Sequence, residues 1–232
     1  MKPQIDVVLP VHGALDFTEK CLETLFEHTD NFRLIIVDDF SDIQTTTYLM
    51  GILQRQSSAL YIRTGSQRWF TRASNLGLRL VRTPRAVLLN SDCTMDKGWL
   101  EELYEVWDEV EKMGARVGLV GSVLSAEEKR RWAQMVEPGY VTGHCLLLSM
   151  SVLSDMAERR GTPGWYFSEL DPGQIHIASD RIMSWELNRV GYATIASFKS
   201  AVGHHGGKSW NYNLGRVFSL RIGDPLKGEV IG

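Results

Sequence analysis

An α/β fold with a mostly parallel central sheet is predicted by two observations. Short apolar runs alternate with amphipathic stretches at helical spacing through the first half of the chain. The most informative of these runs, Leu88-Leu89, ends abruptly on Asn90-Ser91-Asp92-Cys93-Thr94, which sets a single carboxylate at a strand's carboxyl edge. In an open α/β sheet that edge is where ligands bind, because the loops there line a crevice and the helices that follow point their positive ends into it. An Asn-Ser-Asp turn that only caps the next helix is the plainer alternative for the same residues.

The elements follow in order. Ile5 to Val11 reads as a first strand closed by the turn His12-Gly13-Ala14. Asp16 with Glu19 is a capping-box signature for a helix over about 17 to 28, whose apolar face carries Phe17, Cys21, Leu22, Leu25 and Phe26. Phe32 to Val37 is a second strand, ending in Asp38-Asp39-Phe40-Ser41-Asp42. A helix through Tyr48, Leu49, Ile52 and Leu53 then leads to the short strand Leu60 to Ile62. Thr71 is the expected cap of a helix carrying Ala73, Leu76 and Leu80, stopped before Pro84. The strand Ala86 to Leu89 precedes a helix over about 97 to 113 with Gly114 as its stop. Such alternation means parallel strands joined by right-handed crossovers.

After Val117 to Gly121 the rhythm loosens. A strand over Tyr140 to Leu148 is expected, then a short helix near 151 to 159 and a Gly-, Pro- and aromatic-rich loop from Gly161 to Gly173. A last helix starts at Ser179 or Asp180 and stops at Gly191. The segment Gly203 to Trp210 is too glycine-rich to be core. No repeat or low-complexity linker is visible, so the chain reads as one continuous unit.

Composition narrows the setting. The 232 residues are 44% apolar and 23% charged, which excludes a disordered chain. Cys21, Cys93 and Cys145 are odd in number and lack CxxC spacing, so neither a disulfide framework nor a structural zinc site is expected. A reducing compartment fits them. No apolar stretch approaches the roughly 20 residues of a membrane helix, and a soluble, cytoplasmic chain is expected. The net charge of −3 hides an asymmetry, because no acid lies between Asp42 and Asp92 while Arg55, Arg63, Arg68, Arg72, Arg79, Arg82 and Arg85 all do. Such a basic interval beside a carboxylate-centred crevice fits a polyanion, whether a pyrophosphate or a nucleic-acid backbone. Solvated helix faces are the bland reading of the same arginines.

Several spaced segments agree with one family. Val7 to His12, Ile36 to Asp42, Leu88 to Asp92 with Gly98-Trp99-Leu100, Ser179-Asp180 with Trp185, Leu187, Gly191 and Tyr192, and His204 to Ser209 occur in the same order. Together the chain resembles an inverting glycosyltransferase of family 2 with the GT-A fold, a single nucleotide-binding α/β sandwich. The resemblance implies a nucleotide-sugar-binding half over about 1 to 115, an acceptor-binding and catalytic half over about 116 to 210, and a tail over 211 to 232. It implies that Pro10, His12 and Asp39 surround the nucleoside, with the Asp39 carboxylate accepting hydrogen bonds from the base. The residues alone also read as turn formers, one of Asp38 and Asp39 capping the next helix.

By the same resemblance Ser91-Asp92 occupies the place of an Asp-x-Asp metal motif, with Asn90 where the other acid would be. Asp92 is then the ligand of Mn²⁺ or Mg²⁺ against the donor pyrophosphate, since such ions use one or two carboxylates together with phosphate oxygens and water. Arg68 and Arg72 are the candidate basic partners for the charge left on the diphosphate. Asp180 matches the second residue of the family's Glu-Asp pair and is the candidate general base, although Ser179 stands in the place of the Glu and either residue could cap its helix. Adjacent residues on an extended segment point to opposite sides, so His205 or His204, not both, faces the ion or phosphate.

The implied donor is a UDP-, GDP- or dTDP-sugar. The implied acceptor is a saccharide or lipid-linked saccharide, for which Trp165-Tyr166-Phe167 offers an aromatic platform. Trp69 within the arginine interval makes a hydroxylated base in modified DNA the second choice. An inactive sugar-nucleotide-binding module is a further alternative. A dinucleotide oxidoreductase is excluded by the first turn, Pro10 to Ala14, which lacks GxGxxG.

Overall fold

The computed structural model describes residues 4–122, 141–168, 179–197 and 202–205. The glycine-rich stretch from Gly206 to Trp210, and the tail over 211 to 232, lie outside the described residues.

The first half alternates as the sequence requires: β1 Ile5–Val11, α1 Leu15–His28, β2 Phe32–Asp38, α2 Ile43–Arg55, β3 Leu60–Arg63, α3 Trp69–Leu78, β4 Arg85–Leu89, β5 Cys93–Met95 and α4 Trp99–Lys112. The second half adds β6 Val117–Ser122, β7 Cys145–Ser149, α5 Met150–Arg159, α6 Ser179–Arg189, β8 Ala193–Ser197 and β9 Val202–His204. Seven strands form one sheet in the order β3-β2-β1-β4-β7-β6-β8. Neighbours run parallel from β3 to β4 and between β6 and β8, whereas β7 runs antiparallel to both β4 and β6. The sheet is thus mostly parallel.

Period-2 alternation assigns the core. Along β1, Val7, Leu9 and Val11 face one side with α1, α2 and α4, while Val8 faces the other with α3, α5 and α6. Both faces are covered, which is why β1 is buried at every position and reads as a nearly unbroken apolar run. The chain winds outward from β1 through β2 to β3, then returns to lay β4 on the other side of β1. That reversal opens a crevice outside the carboxyl ends of β1 and β4.

Local chemistry moved several boundaries. The capping box expected at Asp16 is absent: α1 begins at Leu15 after Ala14, which sits in the left-handed region and makes no side-chain cap. The Ala14 carbonyl accepts from the amides of Phe17 and Thr18 instead. Thr71 is not a cap either but a buried residue inside α3, which starts at Trp69. Its exposed amides find a partner far away in sequence, described below. The strand expected from Tyr140 begins at Cys145, since Gly143 and His144 form a turn. Gly114 and Gly191 do stop their helices, both at positive φ.

A small second sheet pairs β5 antiparallel with β9, setting Cys93 opposite His204. Glycine gives room there: a Cβ on Gly203 would lie 2.8 Å from Thr94 Oγ1, which would have to move. This pairing returns the end of the described chain to the Asn90-Ser91-Asp92 turn.

Candidate active site

Asp38 and Asp39 end β2 beside the crevice and divide the work between them. Asp38 is fully buried and consumed by structure, with Oδ2 accepting from Tyr61 Oη at 2.6 Å, from Arg63 at 2.6 Å and from Thr46 Oγ1 at 3.0 Å. Its Oδ1 accepts from the Ser41 amide at 2.8 Å. Burial alone would raise its pKa, but the donors from Tyr61, Ser41 and Thr46 outweigh it and hold the group below the ordinary carboxylate range. The same pair pushes the Tyr61 phenol up to about 12, through burial first and then its bond to Asp38.

Asp39 caps α3 from a distance. Its two oxygens accept from the amides of Arg68 at 2.6 Å and Trp69 at 2.7 Å, and Oδ1 also from Thr64 Oγ1 at 3.1 Å. These are amides that a helix start leaves without intrahelical partners. The clamp holds Trp69 at a φ of +64°, a conformation costly for a bulky residue. Burial raises the Asp39 pKa despite these donors. His12 Nδ1 lies 2.7 Å from the Asp39 carbonyl, which can only accept, so that nitrogen carries the proton. Pro10 is buried in β1 opposite Val37. Pro10, His12, Asp39 and Arg68 therefore meet at the ends of β1 and β2, Arg68 joining through its backbone while its side chain is exposed. Arg72 lies one turn further along α3.

The second cluster surrounds Asp92, which is fully buried just beyond β4. His204 Nε2 lies 3.2 Å from Asp92 Oδ1, a close approach without hydrogen-bond geometry. The His205 amide donates to the Asp92 carbonyl at 3.0 Å, and its ring turns to Phe17, 5.4 Å between centroids. The structure thus brings His204, rather than His205, to the Asp92 carboxylate. Ser91 Oγ is buried and has no hydrogen-bond partner among the described residues. No group of three or more His, Cys, Asp or Glu arranged for a metal occurs among the described residues. A carboxylate oxygen and an imidazole nitrogen side by side, with a buried hydroxyl next in sequence, nevertheless suit a hard divalent cation whose remaining ligands are phosphate and water.

His144 carries no motif in the sequence, yet it lies against this cluster. Its ring stacks on that of His204 with centroids 5.1 Å apart and planes at 22°. Burial first, then the neighbouring His204, pushes its pKa down to about 3, so the ring is neutral. Its carbonyl accepts from the Asn90 amide at 2.8 Å and from Cys93 Sγ at 3.3 Å.

Asp180 is brought to the same turn. It lies in the first turn of α6, half-buried, with Oδ2 accepting from the Gly143 amide at 2.8 Å and Oδ1 from the Arg181 amide at 2.8 Å. A Cβ on Gly143 would lie 3.0 Å from the Asp180 Cβ, so a larger residue there would press on Asp180. Gly143 precedes His144, and one turn therefore links Asp180 to His204 and Asp92. Of Ser179, only its place in α6 is described.

The remaining expectations fare differently. Of the Trp165-Tyr166-Phe167 segment, Phe167 is fully buried against Phe70 and takes no part in a surface, while Trp165 and Tyr166 are half-buried and Trp165 carries the Arg79 guanidinium at 5.0 Å. Arg79 lies beyond the far end of α3, about 15 Å of helix rise from the Trp69 amide that meets Asp39. Nor is the arginine interval one basic surface. Arg63 pairs with Asp38, Arg79 is stacked, and Arg85 faces Asp108 and Glu111.

The model of the family described as glycosyl transferase family 2 matches residues 6–153. Among solved structures, the mannosyltransferase PcManGT from Pyrobaculum calidifontis, in complex with GDP-Man and Mn²⁺, superposes with a TM-score of 0.65 at 15% identity, covering 86% of this chain and 56% of that one. S. aureus TarS 1–349 in complex with UDP-GlcNAc gives 0.62 at 14% identity, covering 88% and 58%. GalNAc-T7 with UDP, GalNAc and Mn²⁺ gives 0.66 at 13% identity, covering 87% and 43%. This chain therefore spans about half the length of these structures. No match is found among curated proteins. With the family model covering β1 to α5 and the sheet superposing on GT-A enzymes, the chain belongs to glycosyl transferase family 2 and has the GT-A fold.

Proposed function

We propose that this chain is an inverting, divalent-cation-dependent glycosyltransferase that moves a sugar from a nucleotide-sugar donor to a hydroxyl of a saccharide or lipid-linked saccharide. The observation that carries the reading is the buried Asp92–His204 contact at the crevice where the sheet order reverses. Residues 1 to 115 supply the donor side in this reading, and residues 116 to 210 the acceptor side and the base.

His12, Asp39, Trp69 and Arg68 form the nucleoside end. Since Asp39 is buried and already accepts two amides, its carboxylate shapes the loop that meets the base as well as offering its remaining lone pairs. Asp92 and His204 would hold Mn²⁺ or Mg²⁺; when bound, the cation neutralises charge that develops on the leaving diphosphate. Arg68 and Arg72 add positive charge on the donor side. Asp180, held in place by the Gly143 and Arg181 amides, accepts the proton of the acceptor hydroxyl as its oxygen bonds to the anomeric carbon. The bond from that carbon to the diphosphate oxygen breaks on the opposite face, so configuration inverts.

Pairing of Arg63 with Asp38 and of Arg85 with Asp108 and Glu111 disfavours a nucleic-acid acceptor, because a backbone-tracking groove needs unneutralised charge along one face. Three free, buried cysteines support a reducing, cytoplasmic setting. No helix among the described residues is long and apolar enough to cross a membrane.

The test is a panel of UDP-, GDP- and dTDP-sugars with Mn²⁺ or Mg²⁺, read by nucleoside diphosphate release and by NMR of the first-formed product. Turnover of one donor class, with the anomeric configuration opposite to the donor's, is expected. A product of retained configuration, or full turnover in EDTA, would overturn the mechanism.

A further inference from the structure

We propose that His144 is a positioning residue for the cation: by stacking on His204 it fixes that imidazole against Asp92 and so sets the affinity of the pair for a divalent ion. The inference rests on reading Asp92 and His204 as the cation's protein ligands.

His204 needs such support. It ends β9, a strand of three residues paired with β5, and its side chain is 18% exposed. A histidine there can leave Asp92 by rotating about its own side-chain torsions. The His144 ring covers one of its faces, 5.1 Å away and inclined by only 22°. Unlike His204, His144 is immobilised on every side. It is 2% exposed, Nε2 lies 2.7 Å from Ser122 Oγ, and Nδ1 lies 2.9 Å from Thr142 Oγ1. Both nitrogens are thus engaged by hydroxyls, and what the residue offers the site is its flat face. A ligating histidine commonly has its ring orientation fixed by the hydrogen bond that its other ring nitrogen donates to a neighbour, and here a stack takes that part.

The backbone of His144 has a separate task. Its carbonyl ties Asn90 and Cys93, the residues that bracket Ser91-Asp92. Side-chain substitution leaves that carbonyl in place, so the two contributions can be separated. Packing alone would also bury a histidine, but a residue that only fills the core affects stability without acting through His204.

The experiment measures Mn²⁺ affinity by EPR of the free ion, with UDP or GDP present, for wild type, His144→Ala, His204→Ala and the double variant. Loss of a supporting residue commonly weakens metal binding by about 10- to 100-fold, and His144→Ala is expected to lose at least about tenfold. The double variant should bind no more weakly than His204→Ala alone, because the contribution passes through that ring. His144→Phe, which keeps a flat ring without the nitrogens, should retain affinity to within about threefold of wild type even if its melting temperature falls. Wild-type affinity in His144→Ala, or the same fold-loss with and without His204, would overturn the inference. If His144→Ala does not fold, the Phe variant decides: a loss of about tenfold or more there refutes the stacking role. Absence of Mn²⁺ binding by the wild type would be a different failure, that of the cation reading itself.

Discussion

Asp6, in β1, and Asp92, just beyond the neighbouring β4, are two buried carboxylates at opposite ends of the same sheet, and their surroundings differ in kind. At the amino end of β1, Asp6 meets Arg33 through two bonds of 2.7 and 2.6 Å and takes the Arg82 and Thr83 amides as well. Arg33 is itself tied to the Leu80 carbonyl. At the carboxyl end of β4, Asp92 Oδ1 faces a partly exposed imidazole at 3.2 Å, beside a serine hydroxyl that bonds to nothing described. Burial is equal, 1% against 0%. Burial by itself therefore says little about role; an acid clamped by a guanidinium and two amides at the closed end of the sheet holds the fold, whereas one set against an imidazole and a buried hydroxyl at the crevice is placed to serve a ligand.

Substitutions can break this contrast. The largest effect is expected from Asp92→Asn: removing a group worth several kcal/mol of charge stabilisation should lower transfer at least about a thousandfold. Next is Asp6→Asn, which strands Arg33 in a nearly dry pocket and should cost about 3 to 5 kcal/mol of stability in urea titration, with turnover per folded molecule unchanged. Lost turnover at unchanged stability would reverse the assignment. Asp180→Asn should leave donor affinity intact while transfer falls by about a hundredfold or more, as for loss of a general base. A lower melting temperature with normal turnover would instead make Asp180 a helix cap.

The pH dependence sharpens the same division. Burial pushes the Asp6 pKa up, but the bonds from Arg33, Arg82 and Thr83 together bring it below its ordinary value, and Asp38 behaves alike. A lowered folded pKa gives stability that is complete above the unfolded value of about 4 and is lost as pH falls through the folded one. Asp39, raised by burial, has the opposite sign: its ionisation costs stability as pH rises from the unfolded to the folded value. Melting temperatures across the acid range should therefore fall less steeply in Asp38→Asn than in wild type; an unchanged profile would contradict the assignment. The smallest effect is expected of Arg68→Ala, an exposed charge, which should weaken donor binding about three- to tenfold by calorimetry.

The sheet was legible because it depends on local signals. Apolar runs placed β1, β2 and β4, acidic endings marked the last two, and Gly114 and Gly191 marked helix ends in their own right. What escaped depended on distant partners. The start of α3 was misplaced at Thr71 because its cap is Asp39, on another element. The Asp92–His204 contact needed the β5–β9 pairing, which no periodicity announces over three residues. His144 became visible only through what its ring and carbonyl touch. Composition likewise does not show that Phe167 turns into the core while Trp165 meets Arg79.

The central claim is that Asp92 serves a ligand while Asp6 serves the fold, and differential thermal denaturation of the two Asn variants, with and without Mn²⁺ and UDP or GDP, tests it most directly. Asp92→Asn should melt close to wild type without ligand and lose the ligand-induced rise; Asp6→Asn should melt far lower and keep that rise. If Asp92→Asn instead loses as much intrinsic stability as Asp6→Asn while retaining the ligand-induced rise, Asp92 is a structural residue and the account is contradicted.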